Sequence, residues 1–140
     1  MSDLYFSNAP APYRTDFYRA LEDTGFRLTF YEVDRQDVTR IGRKALLRHP
    51  SELVEKERPR RVLVPEYSLI SLQMAMLKKR FGFRLISVCD DSIDMIRGND
   101  FSQTHRWARR IVPSFMDEVI VHSRAVKDWY QTRFAKGVLM

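Results

Sequence analysis

The sequence predicts an α/β fold: a doubly wound, mostly parallel sheet with helices on both faces, the architecture of a Rossmann-like domain. Three observations carry this. Short apolar runs alternate along the whole chain with longer stretches of helical periodicity, the pattern of right-handed strand–helix–strand crossovers. Several runs, such as RVLVP at Arg61–Pro65, are almost entirely apolar, which fits strands buried on both faces. Most of the runs stop at residues that break a strand or start a helix.

Leu4-Tyr5-Phe6 reads as the first strand, and Asn8-Ala9-Pro10-Ala11-Pro12 stops it because each proline removes a ladder donor. Pro12 suits a first helical turn. Tyr13, Phe17, Ala20 and Leu21 then share a helical face, and Gly25 stops the helix. Phe26 to Val33 is the second strand. Asp34 to Gly42 reads as a polar loop, Arg43 to Arg48 is ambiguous, and Pro50-Ser51-Glu52 opens a short helix to Glu57. Arg61–Pro65 is the third strand. Ser68 caps a mostly buried helix, Leu69 to Phe81, whose Lys78-Lys79-Arg80 end complements the helix dipole. Phe83 to Cys89 is the fourth strand, and Asp90 to Phe101 a polar loop with a turn at Gly98-Asn99-Asp100. A helix follows on the stripe Trp107, Ile111, Phe115, kinked at Pro113, with its arginines on a solvated face. Glu118 to His122 is the fifth strand. Ser123 caps a last helix with Val126, Trp129, Tyr130 and Phe134 on one side, and Gly137 to Met140 begins a sixth strand. The sequence stops inside that strand, so residues 1–140 read as a single N-terminal domain of something longer.

The expected strand order is 3-2-1-4-5, with the ligand crevice between strands 1 and 4. In that order Ser7–Arg14 and Asp90–Phe101 face each other.

The composition, 44% hydrophobic and 12% aromatic over 140 residues, describes one folded domain and excludes a disordered chain. A single cysteine, Cys89, excludes a disulfide framework and points to a reducing, cytoplasmic compartment. The first residues lack the features of a secretory signal, and no apolar run has the length of a membrane span. The net charge of +6 fits a solvated basic surface; the sharper readings are anionic lipid headgroups or phosphorylated substrates. Nucleic acid is not expected as a partner, because no nucleic-acid motif is present.

Asp90 and Asp91 follow a buried strand at its carboxyl end, where a carboxylate can orient or deprotonate a substrate hydroxyl; the plainer role is to cap a turn. Asp94 belongs to the same acidic loop. The run DDSID has no D-x-D spacing and so lacks a metal-bridging pair. Asn8, Ala9, Pro10, Tyr13 and Arg14 surround the start of the first helix, where free N–H groups can hold an anion or polar ligand. Arg14 can pair with a phosphate or stand in solvent; Tyr13 can stack on a sugar or staple helix to sheet. Glu66 and Tyr67 follow the third strand and are binding candidates or ordinary turn residues. His105 with Arg106, Arg109 and Arg110 is a solvated face or a phosphate- or membrane-facing one. His49 and His122 have no partners at metal-ligand spacing, and His122 reads as a satisfied core residue. The dinucleotide fingerprint, the Walker A loop and the G-x-S-x-G elbow are all absent.

The opening LYFSNAPAPYRTDFYRAL, then RVLVPEYSLIS, FRLISVCDDS and FMDEVIVHSRAVKDWYQTRF, together resemble the N-terminal domain of GT-B glycosyltransferases of the family 4 type. The resemblance covers the chain apart from about residues 34–60. It implies a Rossmann-like acceptor-side domain that faces a nucleotide-sugar domain lying outside this sequence. It further implies retention of anomeric configuration, no cofactor and no bound metal, the nucleotide-sugar being a substrate. By position, Ala9 to Tyr13 matches the loop near donor and acceptor. Asp90 and Asp91 match the loop after strand 4, where many relatives carry a histidine or an acid; this chain lacks the histidine.

The function expected from this is acceptor binding in a transferase that builds a surface polysaccharide or glycoconjugate. Asp90 and Asp91 are its catalytic candidates; Asn8, Ala9, Pro10, Tyr13, Arg14, Glu66, Tyr67 and Asp94 are its substrate-binding candidates. The partners expected are a glycan or lipid-linked acceptor and an anionic membrane surface, with peripheral placement on the cytoplasmic face. These residues alone are expected not to turn over. The alternatives are a non-catalytic flavodoxin-like binding domain and a basic RNA- or membrane-binding domain.

Overall fold

The computed structural model describes residues 2–7, 12–30, 38–65, 69–89, 93–98, 103–134 and 137–139. Six strands form one sheet: β1 (Asp3–Ser7), β2 (Phe26–Phe30), β3 (Arg61–Pro65), β4 (Arg84–Cys89), β5 (Glu118–Val121) and β6 (Gly137–Leu139). Every pairing is parallel. The helices are α1 (Thr15–Asp23), α2 (Val38–Glu57), α3 (Leu69–Phe81), α4 (Ile93–Gly98), α5 (Gln103–Ile111) and α6 (Arg124–Phe134). A 3-10 turn at Pro12–Arg14 leads into α1, and another at Val112–Ser114 follows α5.

The strand order is β2-β1-β3-β4-β5-β6, which corrects the expected 3-2-1-4-5. After β2 the chain crosses back over β1, and β3 pairs beside β1. The neighbours of β1 are therefore β2 and β3, and the switch point lies between β1 and β3 instead of between β1 and β4.

Crossover handedness then assigns the faces. Every step toward β6 is made in one direction, and a right-handed crossover places those helices on one face. The step from β1 to β2 runs the other way and places α1 on the opposite face. Side-chain alternation matches this. Leu4, Phe6, Val62, Val64, Leu85, Val119 and Val121 point into a core shared with Leu53 and Val54 of α2, Ile70 and Met74 of α3, and Val126 and Tyr130 of α6. Tyr5, Leu63, Ile86 and Val88 point the other way, into a smaller cluster with Phe17, Tyr18 and Leu21 of α1. Tyr5 is fully buried there, with the rings of Phe17, Tyr18 and Phe30 at 6.0–6.1 Å.

Several local expectations change. A continuous helix replaces the expected loop and short helix, running from Val38 to Glu57 through Pro50. That costs one ladder hydrogen bond, and the packing of α2 on α3 and β1 holds the helix through it. The stretch after β4 contains the helix α4. Tyr13 and Ala20 face solvent, so Phe17, Tyr18 and Leu21 dock α1. Leu69 and Met76 of α3 are exposed as well. On α5 the Trp107–Ile111 stripe faces outward while Arg109 is buried. The face of α5 toward α3 is therefore not the face that the aromatic periodicity singles out.

The ends of the elements follow the expected chemistry where they are described. Gly25 follows α1 at φ +90°, a conformation that costs little without a Cβ. Ser123 Oγ accepts the backbone N–H of Val126 at 3.3 Å and caps α6. The amino edge of the sheet is tied by two carboxylates. Asp3 Oδ1 accepts the backbone N–H groups of Arg60 (3.1 Å) and Arg61 (2.9 Å). Asp117 Oδ2 accepts from Lys78 Nζ at 2.6 Å and from the Leu85 N–H at 2.8 Å.

Candidate functional site

The carboxyl ends of the strands are where an open parallel sheet holds ligands. At that edge a cleft of about 170 Å³ opens between the start of α1 and the ends of β4 and β5. Its lining is Arg14, Phe17, Val88, Cys89, Ile120, Val121 and His122.

Each wall has a local cause. Val88 and Ile120 are register partners on adjacent strands and point to the α1 face, so together they form an apolar floor. Phe17 rises from the first turn of α1 as the opposing apolar wall. Arg14 is the residue preceding α1, at φ −107° and ψ 13°, and its side chain makes no capping hydrogen bond. Its guanidinium lies 5.7 Å from the centre of the Tyr13 ring, which is 83% exposed.

His122 follows β5 and is exposed, which overturns its reading as a core residue. Its Nδ1 lies 3.3 Å from the Cys89 carbonyl oxygen. A carbonyl only accepts, so the proton in this contact sits on Nδ1. In the neutral ring Nε2 then carries the lone pair and can accept from a hydroxyl. The cleft thus offers a cation, an imidazole acceptor and an apolar floor.

Tyr5 stands two residues before the end of β1, and its buried hydroxyl makes no hydrogen bond of normal geometry among the described residues, although Ser7 and Arg14 stand close enough to act on it. Burial pushes the phenol's pKa above its ordinary value. The nearby Ser7 hydroxyl and Arg14 charge pull the other way, and burial prevails.

Of the residues singled out from sequence, Arg14 lines the cleft and Tyr13 stands next to it. Asp94 is exposed in the first turn of α4 and is not part of the lining. Asn8, Ala9, Pro10, Glu66, Tyr67, Asp90 and Asp91 lie outside the described residues, as does the cap expected at Ser68. In the corrected strand order the carboxyl ends of β1 and β3 are neighbours and that of β4 lies one strand further on. Sequence reasoning missed His122 and the role of Phe17 as a wall. The available signal for His122 was its place directly after a buried strand, at the carboxyl end.

A second hollow, about 300 Å³, opens at the amino edge beside Asp3, Thr24, Gly25 and Arg60. Asp3 is already occupied there by two backbone amides and by Arg61 Nε at 2.6 Å. No group of three or more potential metal-ligating side chains occurs among the described residues.

No protein-family model, curated protein or solved structure matches the chain. The fold itself is a Rossmann-like α/β domain, compatible with nucleotide or acceptor binding.

Proposed function

We propose that the chain is the acceptor-binding domain of a retaining glycosyltransferase of the GT-B type, and that its acceptor enters the cleft between α1 and the ends of β4 and β5. The observation that supports this best is the meeting of Arg14 with His122 over an apolar floor. The 3-10 turn at Pro12–Arg14 brings Arg14 to the edge where the sheet holds ligands.

On this reading Tyr13 stacks on a sugar ring, Arg14 holds an anionic group of the acceptor, and His122 Nε2 accepts from the reacting hydroxyl. Asp90 and Asp91, directly after Cys89 in the chain, remain the proposed catalytic carboxylates. Catalysis is then mainly positioning and charge stabilisation. The nucleotide-sugar is bound by a second domain and no metal is required, so this domain alone binds without transferring.

A second reading has one observation in its favour. The order 2-1-3-4-5 is that of flavodoxin-like binding domains, which hold their ligand at the β1/β3 switch point. One experiment separates the two. Amide resonances of the ¹⁵N-labelled chain are followed during titration with oligosaccharide acceptors, nucleotide-sugars and flavin mononucleotide. Acceptor glycans are expected to shift Phe17, Val88, Ile120 and His122, with affinity lowered about tenfold or more in Arg14→Ala, the worth of a charged hydrogen bond. Shifts caused by the flavin at Ser7 and Val64 would favour the second reading. Sugar transfer or nucleotide-sugar hydrolysis by this chain alone would contradict the first.

A further inference from the structure

The helices α3 and α5 pack side by side on the sheet face opposite α1. Their sequences, LISLQMAMLKKRF and QTHRWARRI, contain three cationic residues each and no acidic one. The whole chain has 18 acidic residues, so their exclusion from this pair is a strong local asymmetry. The same two helices carry four of the large hydrophobic side chains exposed among the described residues: Leu69, Met76, Trp107 and Ile111. Met76 is 79% exposed, Trp107 53% and Ile111 41%.

The arrangement on α5 is amphipathic in an unusual sense. Trp107 and Ile111 are one turn apart and face outward, flanked by the exposed Arg106 and Arg110. The Arg110 guanidinium lies 5.9 Å from the Trp107 ring centre. Gln103, Arg106, Trp107 and Arg110 enclose a shallow hollow of about 190 Å³. Arg109 is buried and plays no part in this surface. On α3, Lys79 and Arg80 extend the positive charge, although Arg80 has Glu55 of α2 at 3.9 Å and Lys78 is held by Asp117.

We propose that the outer surface of α3 and α5 docks on an anionic phospholipid bilayer, with Trp107 and Ile111 entering the headgroup boundary and Arg106 and Arg110 on lipid phosphates. The exposed cations Arg106, Arg110 and Lys79, on helices that carry no acidic residue of their own, complement an anionic surface. An exposed indole with aliphatic neighbours suits the boundary between headgroups and acyl chains. Nucleic acid would use the cations and the indole, but it offers nothing to Met76, Ile111 and Leu69. No helix among the described residues is long and apolar enough to cross a membrane, so the contact is with the surface. The inference assigns the membrane contact expected with the transferase reading to a stated surface, α3 and α5, and its test does not require sugar transfer. Docked this way, the bilayer covers the helical layer and leaves the cleft beside α1 on the open face.

The test is co-sedimentation with phosphatidylcholine vesicles made with and without phosphatidylglycerol, alongside a single-stranded RNA. The wild-type chain is expected to bind only the anionic vesicles, with Trp107 emission quenched by brominated acyl chains. Arg106→Glu/Arg110→Glu is expected to lose at least about 30-fold in affinity, at roughly fivefold for each cation removed. Arg19→Glu/Arg27→Glu has the same net charge but lies on α1 and β2, and it is expected to bind like the wild type. Trp107→Ser keeps every charge and is expected to bind more weakly, so it tests the apolar contribution independently. The substituted side chains on α5 are exposed, and matching unfolding curves confirm that the variants fold. Failure of the wild type to bind anionic vesicles would overturn the proposal. So would equal losses in the two charge-reversed pairs, or RNA binding in place of vesicle binding.

Discussion

Tyr5→Ala is expected to destabilise the domain by about 3–5 kcal/mol, the usual cost of emptying a large aromatic site in a packed core. Tyr5 is fully buried, and three aromatic rings close on it from α1 and β2. Removing the ring takes away the surface on which α1 docks, and the α1 face has no second helix among the described residues to compensate. Tyr5→Phe is expected to do the opposite of what a buried hydroxyl usually does. The Tyr5 hydroxyl makes no hydrogen bond of normal geometry among the described residues, so deleting it removes a desolvated polar group and keeps the packing. Urea unfolding should place Tyr5→Phe at or above the wild type and Tyr5→Ala far below it. A Tyr5→Phe variant as unstable as Tyr5→Ala would show that the hydroxyl is bonded after all.

Asp117→Ala is expected to cost about 2–3 kcal/mol at neutral pH, because it leaves the Leu85 N–H without its acceptor and strips the half-buried Lys78 ammonium of its counter-charge, leaving it the Phe115 carbonyl at 2.7 Å. Burial pushes the Asp117 pKa up, but the Lys78 and Leu85 hydrogen bonds and the Lys78 and Arg84 charges outweigh it. The carboxyl is therefore held below its ordinary value of 3.8. A carboxyl whose pKa falls on folding binds fewer protons in the native state. Its stabilisation is fully present above 3.8 and is lost as the pH falls through the lowered folded value. The gap in unfolding free energy between wild type and Asp117→Ala should therefore be constant from neutral pH down to about pH 5 and narrow below pH 4. A gap that widens with acid would mean that Asp117 is not the group responsible.

The sequence revealed the repeat of strand and helix because burial on both faces leaves a visible mark: RVLVP and EVIV have no polar face to alternate with. It did not reveal strand order. Which side of β1 receives β3 depends on the crossover after β2, and that step is decided by α2 packing on β1 and α3, contacts with no local periodicity. Pro50 misled for a related reason, since a proline inside a helix looks like a beginning until packing on both sides holds the helix through it. The exposure of Trp107 and Ile111 ran against the rule that an aromatic stripe faces the core. Arg14 was legible from its place at a helix start. His122 was not, because a histidine ending an apolar run looks the same whether its ring faces the core or the solvent.

Among the described residues a single helix, α1, covers one face of the sheet, so the domain has two layers of unequal tenacity. The opposite face is secured by α2, α3, α4 and α6 in one continuous core, whereas α1 is held by Phe17, Tyr18 and Leu21 around Tyr5. Local opening of α1 thus exposes far less apolar surface than global unfolding, and its amides are expected to exchange with deuterium sooner than those of α3. Arg14 and Phe17 travel with α1, while His122, Val88 and Ile120 stay with the sheet. The cleft is therefore assembled from two parts that separate on different timescales, and an occupant bridging them would slow exchange in α1 before any other helix.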